Sequence, residues 1–80
     1  INPLIFNCFS KQSSIEINWS NLENANTIAL IDQTGKRQKS FKQEVKSGNL
    51  NWDNLSPGFY FVEIIDKMDR TISSKKVIVY

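Results

Sequence analysis

Eighty residues hold one domain at most, and a chain of that length buries roughly 60% of the surface it exposes when unfolded. An apolar share of 40%, with two Trp, two Tyr and five Phe, is enough for one core and too rich for a disordered tail. No apolar run approaches the ~18 residues of a membrane helix, no signal-peptide pattern marks the ends, and 10 basic against 8 acidic residues, +2 overall, argues against a dedicated nucleic-acid module.

The chain opens on Ile1 rather than Met, so it is expected to be part of something longer. Cys8 stands alone, which excludes an internal disulfide and a cysteine-based metal site. Between Asn7 and Phe9 it is expected to be a small, half-buried residue rather than a reactive thiol.

Residues 4 to 9 are apolar apart from Asn7 and Cys8, and form either an extra strand or an extended lead-in. Lys11 to Ser14 reads as a turn. Ile15, Ile17 and Trp19 then alternate with Glu16 and Asn18, the period-two signature of a strand with one buried face. Ser20 to Asn26 is a polar loop, and Thr27 to Asp32 the next strand. It ends in Asp32-Gln33-Thr34-Gly35-Lys36, a hairpin turn in which Asp accepts backbone N–H groups and Gly takes the left-handed residue. The partner strand is expected from about Arg37 to Val45, its charge suiting an edge.

Lys46 to Asn49 is a loop containing Gly48, and Leu50 with Trp52 makes a short strand. Pro57-Gly58 fits the centre of a type II turn, with Gly58 at positive φ. Phe59 to Ile65 follows, apolar on both faces at its start and therefore expected to lie centrally, covered on two sides. Asp66 to Arg70 forms a hairpin loop with Asp69 where Gly would be more comfortable, and Thr71 to Tyr80 closes the chain. Six or seven short strands without a helix predict an all-β fold, a small immunoglobulin-like antiparallel sandwich, with a barrel as the alternative. Trp19, Leu30, Trp52, Tyr60, Val62 and Ile64 are in phase to form its core.

Catalytic chemistry finds few groups. There is no His, hence no His-based acid–base pair or Ser-His-Asp triad. Glu63 and Asp66 straddle a strand end and suit surface solvation better than a catalytic pair. The three glycines fall at three separate turns, so no phosphate loop exists. Asp32, Asp66 and Asp69 do not group enough oxygens for calcium. Trp19 and Trp52 read as core rather than as a sugar platform.

Lys75 and Lys76 are adjacent in the last strand, so they point to opposite faces. One must reach the core side, snorkel past its rim or sit at a bulge. The plain reading is an edge strand protected by charge. The functional one is a recognition strand, Lys75-Lys76-Val77-Ile78-Val79-Tyr80, that pairs with a receptor by strand addition.

Three blocks carry a resemblance. Ile28 to Lys36 with Asp32, Gly35 and Lys36, then Leu55-Ser56-Pro57-Gly58-Phe59-Tyr60 with Leu55, Gly58 and Tyr60 at fixed spacing, then the basic-apolar terminal strand, together resemble the C-terminal sorting domain of type IX secretion cargo in Bacteroidota. Asn2-Pro3 also resembles that family's opening, but Ile15 lies far downstream, so residues 4 to 14 look like an insertion or an altered first strand. The Asp66 hairpin lacks the family's Gly.

The resemblance implies one sandwich over residues 1–80, with 15–80 its core and 1–14 the lead-in or extra strand. It implies a non-catalytic sorting signal without cofactors, read in the periplasm mainly through Lys75 to Tyr80. Its implied partners are the type IX translocon, an outer-membrane shuttle protein, a sortase-like peptidase and a fused upstream cargo, which ends secreted or on the cell surface. A non-catalytic accessory or carbohydrate-binding module of a surface enzyme is the rival.

Overall fold

Alternation in the sequence becomes strand in the computed structural model, which describes residues 5–22, 26–43 and 46–80. Among these there is no helix, and seven strands run in order: β1 (Ile5–Lys11), β2 (Ser14–Ser20), β3 (Thr27–Asp32), β4 (Arg37–Lys42), β5 (Gly48–Trp52), β6 (Gly58–Ile65) and β7 (Thr71–Val79). They form two sheets, β1-β2-β5 and β4-β3-β6-β7, in which every pairing is antiparallel. The fold is the small immunoglobulin-like sandwich that the strand spacing predicts.

The inward side chains of the two sheets make one core. Ile15, Ile17 and Trp19 of β2 face Ile28, Leu30, Val62 and Ile64 of the larger sheet, and Phe6, Leu22, Trp52, Leu55, Tyr60, Val77 and Val79 complete it. All six core residues expected from phase are buried, including Trp19 at 4% and Trp52 at 8% exposure. The Trp19 ring lies 6.0 Å from that of Phe41, tilted by 49°. Removing aromatics of this size from water contributes on the order of 2–3 kcal/mol each.

Several elements differ from expectation. Of the two readings for the N-terminal segment, the strand holds: β1 pairs along all of β2, Phe6 opposite Trp19, through a turn at Gln12 and Ser13. Leu4 and Asn2-Pro3 lie outside the described residues. β4 ends at Lys42, and buried Gln43 follows it, its N–H donating to the Asn26 carbonyl (2.8 Å) and its side-chain amide to the Leu22 carbonyl (3.3 Å). Glu44 and Val45 also lie outside the described residues. Gly48, expected in a loop, opens β5 opposite Trp19.

β6 is central as expected, between β3 and β7, but only one of its faces is covered. Tyr60, Val62 and Ile64 are buried, whereas Phe59 and Phe61 are 44% and 37% exposed. A two-layer sandwich covers one face of each sheet and leaves the other to water.

Candidate recognition strand and its supporting loops

Each block singled out in the sequence has a distinct structural job. At the β3–β4 hairpin, Asp32 Oδ1 accepts the backbone N–H groups of Thr34 (2.9 Å) and Lys36 (3.0 Å) and the Thr34 hydroxyl, and Oδ2 accepts the Gln38 side-chain amide. Gly35 takes φ 89°, and its N–H donates to the Asp32 carbonyl (3.0 Å). Lys36 contributes through its backbone, its carbonyl accepting the Asp32 N–H at 2.9 Å. Donation by the Thr34 and Gln38 side chains, and then by the backbone, holds the Asp32 carboxyl down at about 2.

The β6–β7 hairpin repeats this construction without the glycine. Asp66 Oδ1 accepts from the N–H groups of Met68 and Arg70 (both 2.9 Å), and Oδ2 accepts from Arg70 Nε (3.1 Å). Asp69 occupies the place of Gly35 at φ 62°. The Arg70 N–H is the leading cause that lowers the Asp66 carboxyl.

Leu55, Gly58 and Tyr60 build a corner at the mouth of β6. Leu55 is buried, and its N–H donates to the Ser13 carbonyl (2.9 Å). The Tyr60 hydroxyl donates back to the Ser56 carbonyl (2.7 Å), a tyrosine corner that fixes the entry of the strand. Gly58 is at positive φ as predicted, but at 151° it is far from the roughly +80° of a type II turn. It is instead the first residue of β6, opposite Val79, and a Cβ there would meet Gln33 Oε1 at 3.4 Å.

These blocks meet at one end of the sandwich. Asp32 pairs with Tyr60, Gly58 with Val79, and the Phe59 N–H points at Gln33 Oε1 (3.5 Å). The Asp32 loop and the segment from Asn54 to Tyr60 border a shared open groove of about 430 Å³. Ser13, which the sequence did not single out, ties the end together: its carbonyl accepts from Leu55, and its N–H donates to the Tyr80 carbonyl at 2.8 Å. Its φ of 59° was the hidden signal, legible only once the β1–β2 turn has two residues.

Among the described strands, β7 is an edge strand that pairs with β6 alone. Val77 and Val79 are buried in the core, and Ile78 and Tyr80 are 54% and 66% exposed. The adjacent lysines divide between the faces without a bulge at that point, the irregularity lying near Ile64/Ile65. Lys75 follows the phase of Val77 and Val79 to the inner rim, its Nζ 6.0 Å from the Phe6 ring centre. Lys76 points outward, its Nζ 4.4 Å from the centre of the Phe59 ring. Cys8, half-buried, has its thiol pushed up to about 11 by burial, which outweighs the opposing charge of Lys75. It is therefore a protonated packing residue at neutral pH.

Among the described residues, no three Cys, Asp or Glu side chains cluster as a metal site. The Asp32 and Asp66 oxygens are occupied by N–H donors of their own loops. A family model described as "Secretion system C-terminal sorting domain" matches residues 9–80. No curated protein matches the chain.

Proposed function

This chain belongs to the family of secretion system C-terminal sorting domains of the type IX pathway, and we propose that the machinery of that pathway reads it chiefly through β7. Membership makes the protein that carries it a secreted or cell-surface one. Domains of this family are in general non-catalytic, and we read this one as a delivery signal without a cofactor, Asp32, Gly35, Lys36, Leu55, Gly58 and Tyr60 shaping the end from which β7 is presented.

The observation that carries the reading is that Lys75 and Lys76 stand on opposite faces of an edge strand that, among the described strands, pairs with β6 only, with Tyr80 beyond its end held by the Ser13 N–H. Such an edge offers backbone N–H and C=O groups for strand addition, and alternate side chains for selectivity. In this proposal the folded domain is recognised in the periplasm by the translocon with its outer-membrane shuttle protein. It is then removed by a sortase-like peptidase after passage of the cargo fused upstream. The carbohydrate-module reading is weakened by the burial of Trp19 and Trp52 and by Lys76 lying over the Phe59 ring.

The test fuses residues 1–80 to a periplasmic reporter in a type IX-competent bacterium. The fusion is expected in the medium or on the surface, and a Lys75→Ala/Lys76→Ala form is expected to stay largely in the periplasm. Retention of the unmodified fusion while native cargo is exported would overturn the reading. Deleting residues 75–80 is the poorer probe, because it also removes Val77 and Val79 from the core.

A further inference from the structure

A half-covered sheet facing water is expected to alternate apolar inward and polar outward. The smaller sheet does so over its described side chains: Asn7, Glu16, Asn18 and Asn51 stand on its outer side, with Phe9 an exception. The larger sheet does not. Its register places Arg37, Ile31, Phe61 and Lys76 in one row across all four strands, and Phe59 beside Ile78 in the adjoining row. Phe59, Phe61 and Ile78 are each more than a third exposed, yet they sit together. Nothing in the core requires an aromatic at either β6 position, since the buried phase is carried by Tyr60, Val62 and Ile64.

The central row is cationic at both ends, Arg37 on β4 and Lys76 on β7, while the carboxylate of Glu63 stands one row further along, opposite Ser74, and Asp66 and Asp69 border a groove with Arg37. Lys76 over the Phe59 ring also couples charge to apolar surface, since a cation held on an aromatic face stays available to a second, anionic partner. Exposed aromatics grouped together are the composition of an interface centre rather than of a solvated sheet, with Arg37 and Lys76 placed at its polar rim.

We propose that this outer face, centred on Phe59, Phe61, Lys76 and Ile78, docks on a protein component of the export machinery whose matching surface is apolar and bordered by carboxylates. The inference rests on the sorting function. It differs from recognition through the β7 edge in requiring β6 side chains that strand addition would never touch. Carboxylates on the partner complement the Arg37–Lys76 row. Lys75, on the inner rim, lies outside the patch.

The experiment uses the reporter fusion of the full 80-residue chain. Phe59→Ser/Phe61→Ser leaves β7 intact; Arg37→Glu/Lys76→Glu reverses the row; Phe9→Ser, on the opposite sheet, is the control. Each is also purified and melted, to separate docking from folding, and Phe59→Ser alone, at the more exposed of the two β6 rings, replaces the first variant if that one unfolds. The two patch variants, or Phe59→Ser in place of the first, are expected to lose export by about tenfold or more, the scale of losing an interface anchor. Phe9→Ser is expected to export like the unmodified fusion. As a second readout, the unfused domain produced in the periplasm is expected to depress export of the unmodified fusion, and the Phe59→Ser/Phe61→Ser domain (or the Phe59→Ser domain in its place) to leave it unchanged. Normal export of folded patch variants would overturn the proposal, as would competition by the variant equal to that of the unmodified domain. Binding of purified glycans by the same face with export intact would also overturn it, in favour of a carbohydrate site. Failure of the unmodified fusion to leave the periplasm is a different result, which removes the sorting reading itself.

Discussion

Asp32 and Asp66 solve the same local problem, five residues that reverse one strand into the next, and differ only at the position that needs positive φ. Gly35 meets that need without cost, whereas Asp69 holds φ 62° with a Cβ attached. Asp69→Gly is therefore expected to stabilise the domain by about 0.5–1 kcal/mol in denaturant unfolding, a gain partly offset by the freer unfolded chain. At Gly58 the sign is opposite. A side chain there must adopt φ 151° against Gln33, so Gly58→Val is expected to cost about 1–3 kcal/mol. The Asp32 carboxyl sits at about 2 in the fold against an ordinary 3.8. A depressed carboxylate contributes stability above its unfolded value, and that contribution is lost as pH falls from about 4 through about 2. Asp66, lowered in the same direction, adds to it. Melting temperature is expected to drop over that acid range, and less steeply in Asp32→Asn, which keeps an acceptor for the loop N–H groups but no longer titrates.

At the scale of elements, β7 has two roles on two sets of positions. Val77 and Val79 close the core, while Lys76 and Ile78 stand on the outer face. Val79→Ala is expected to destabilise by about 1–3 kcal/mol through the lost methyl groups and the space they leave, and Lys76→Ala by less than about 0.5 kcal/mol. Chemical denaturation of the two variants checks this difference. A comparable loss in both would mean that the strand is not divided by face. β1 shows how pairing overrides a weak local pattern. Phe6, Asn7, Cys8 and Phe9 do not alternate cleanly, yet β2 offers an edge along its full length, and Phe6 opposite Trp19 decides the phase.

Across the whole molecule, Trp19 and Trp52 report on the same core from the two outer positions of the β2–β5 pairing. A single shared core unfolds as one unit. Trp19→Phe and Trp52→Phe, each leaving one indole, are expected to show blue-shifted emission when folded and, in each variant, a fluorescence midpoint equal to that read by far-ultraviolet circular dichroism. Separate transitions by the two probes would divide the sandwich into independent halves. Addition of soluble glycans is expected to leave both emissions unchanged, because neither ring reaches the surface as a platform.

Local rules made much of this protein readable from its residues. Period-two alternation places Ile15, Ile17 and Trp19 on the buried face of one strand and Val62 and Ile64 on that of another, and Asp with a left-handed residue three positions on makes the hairpins at Asp32 and Asp66. Those signals act over a few residues and need no partner. Sheet neighbours, and which face of a sheet the second layer covers, are set by pairings between residues dozens of positions apart, and only the tertiary structure decided them. Phe59 to Ile65 looks doubly buried in one dimension; with two layers rather than three, Phe59 and Phe61 face water. The sequence likewise determined that Lys75 and Lys76 part company across β7. Which lysine goes inward depends on the register of Gly58 with Val79, and the fold assigned Lys75 to the rim beside Phe6 and Lys76 to the outer face over Phe59.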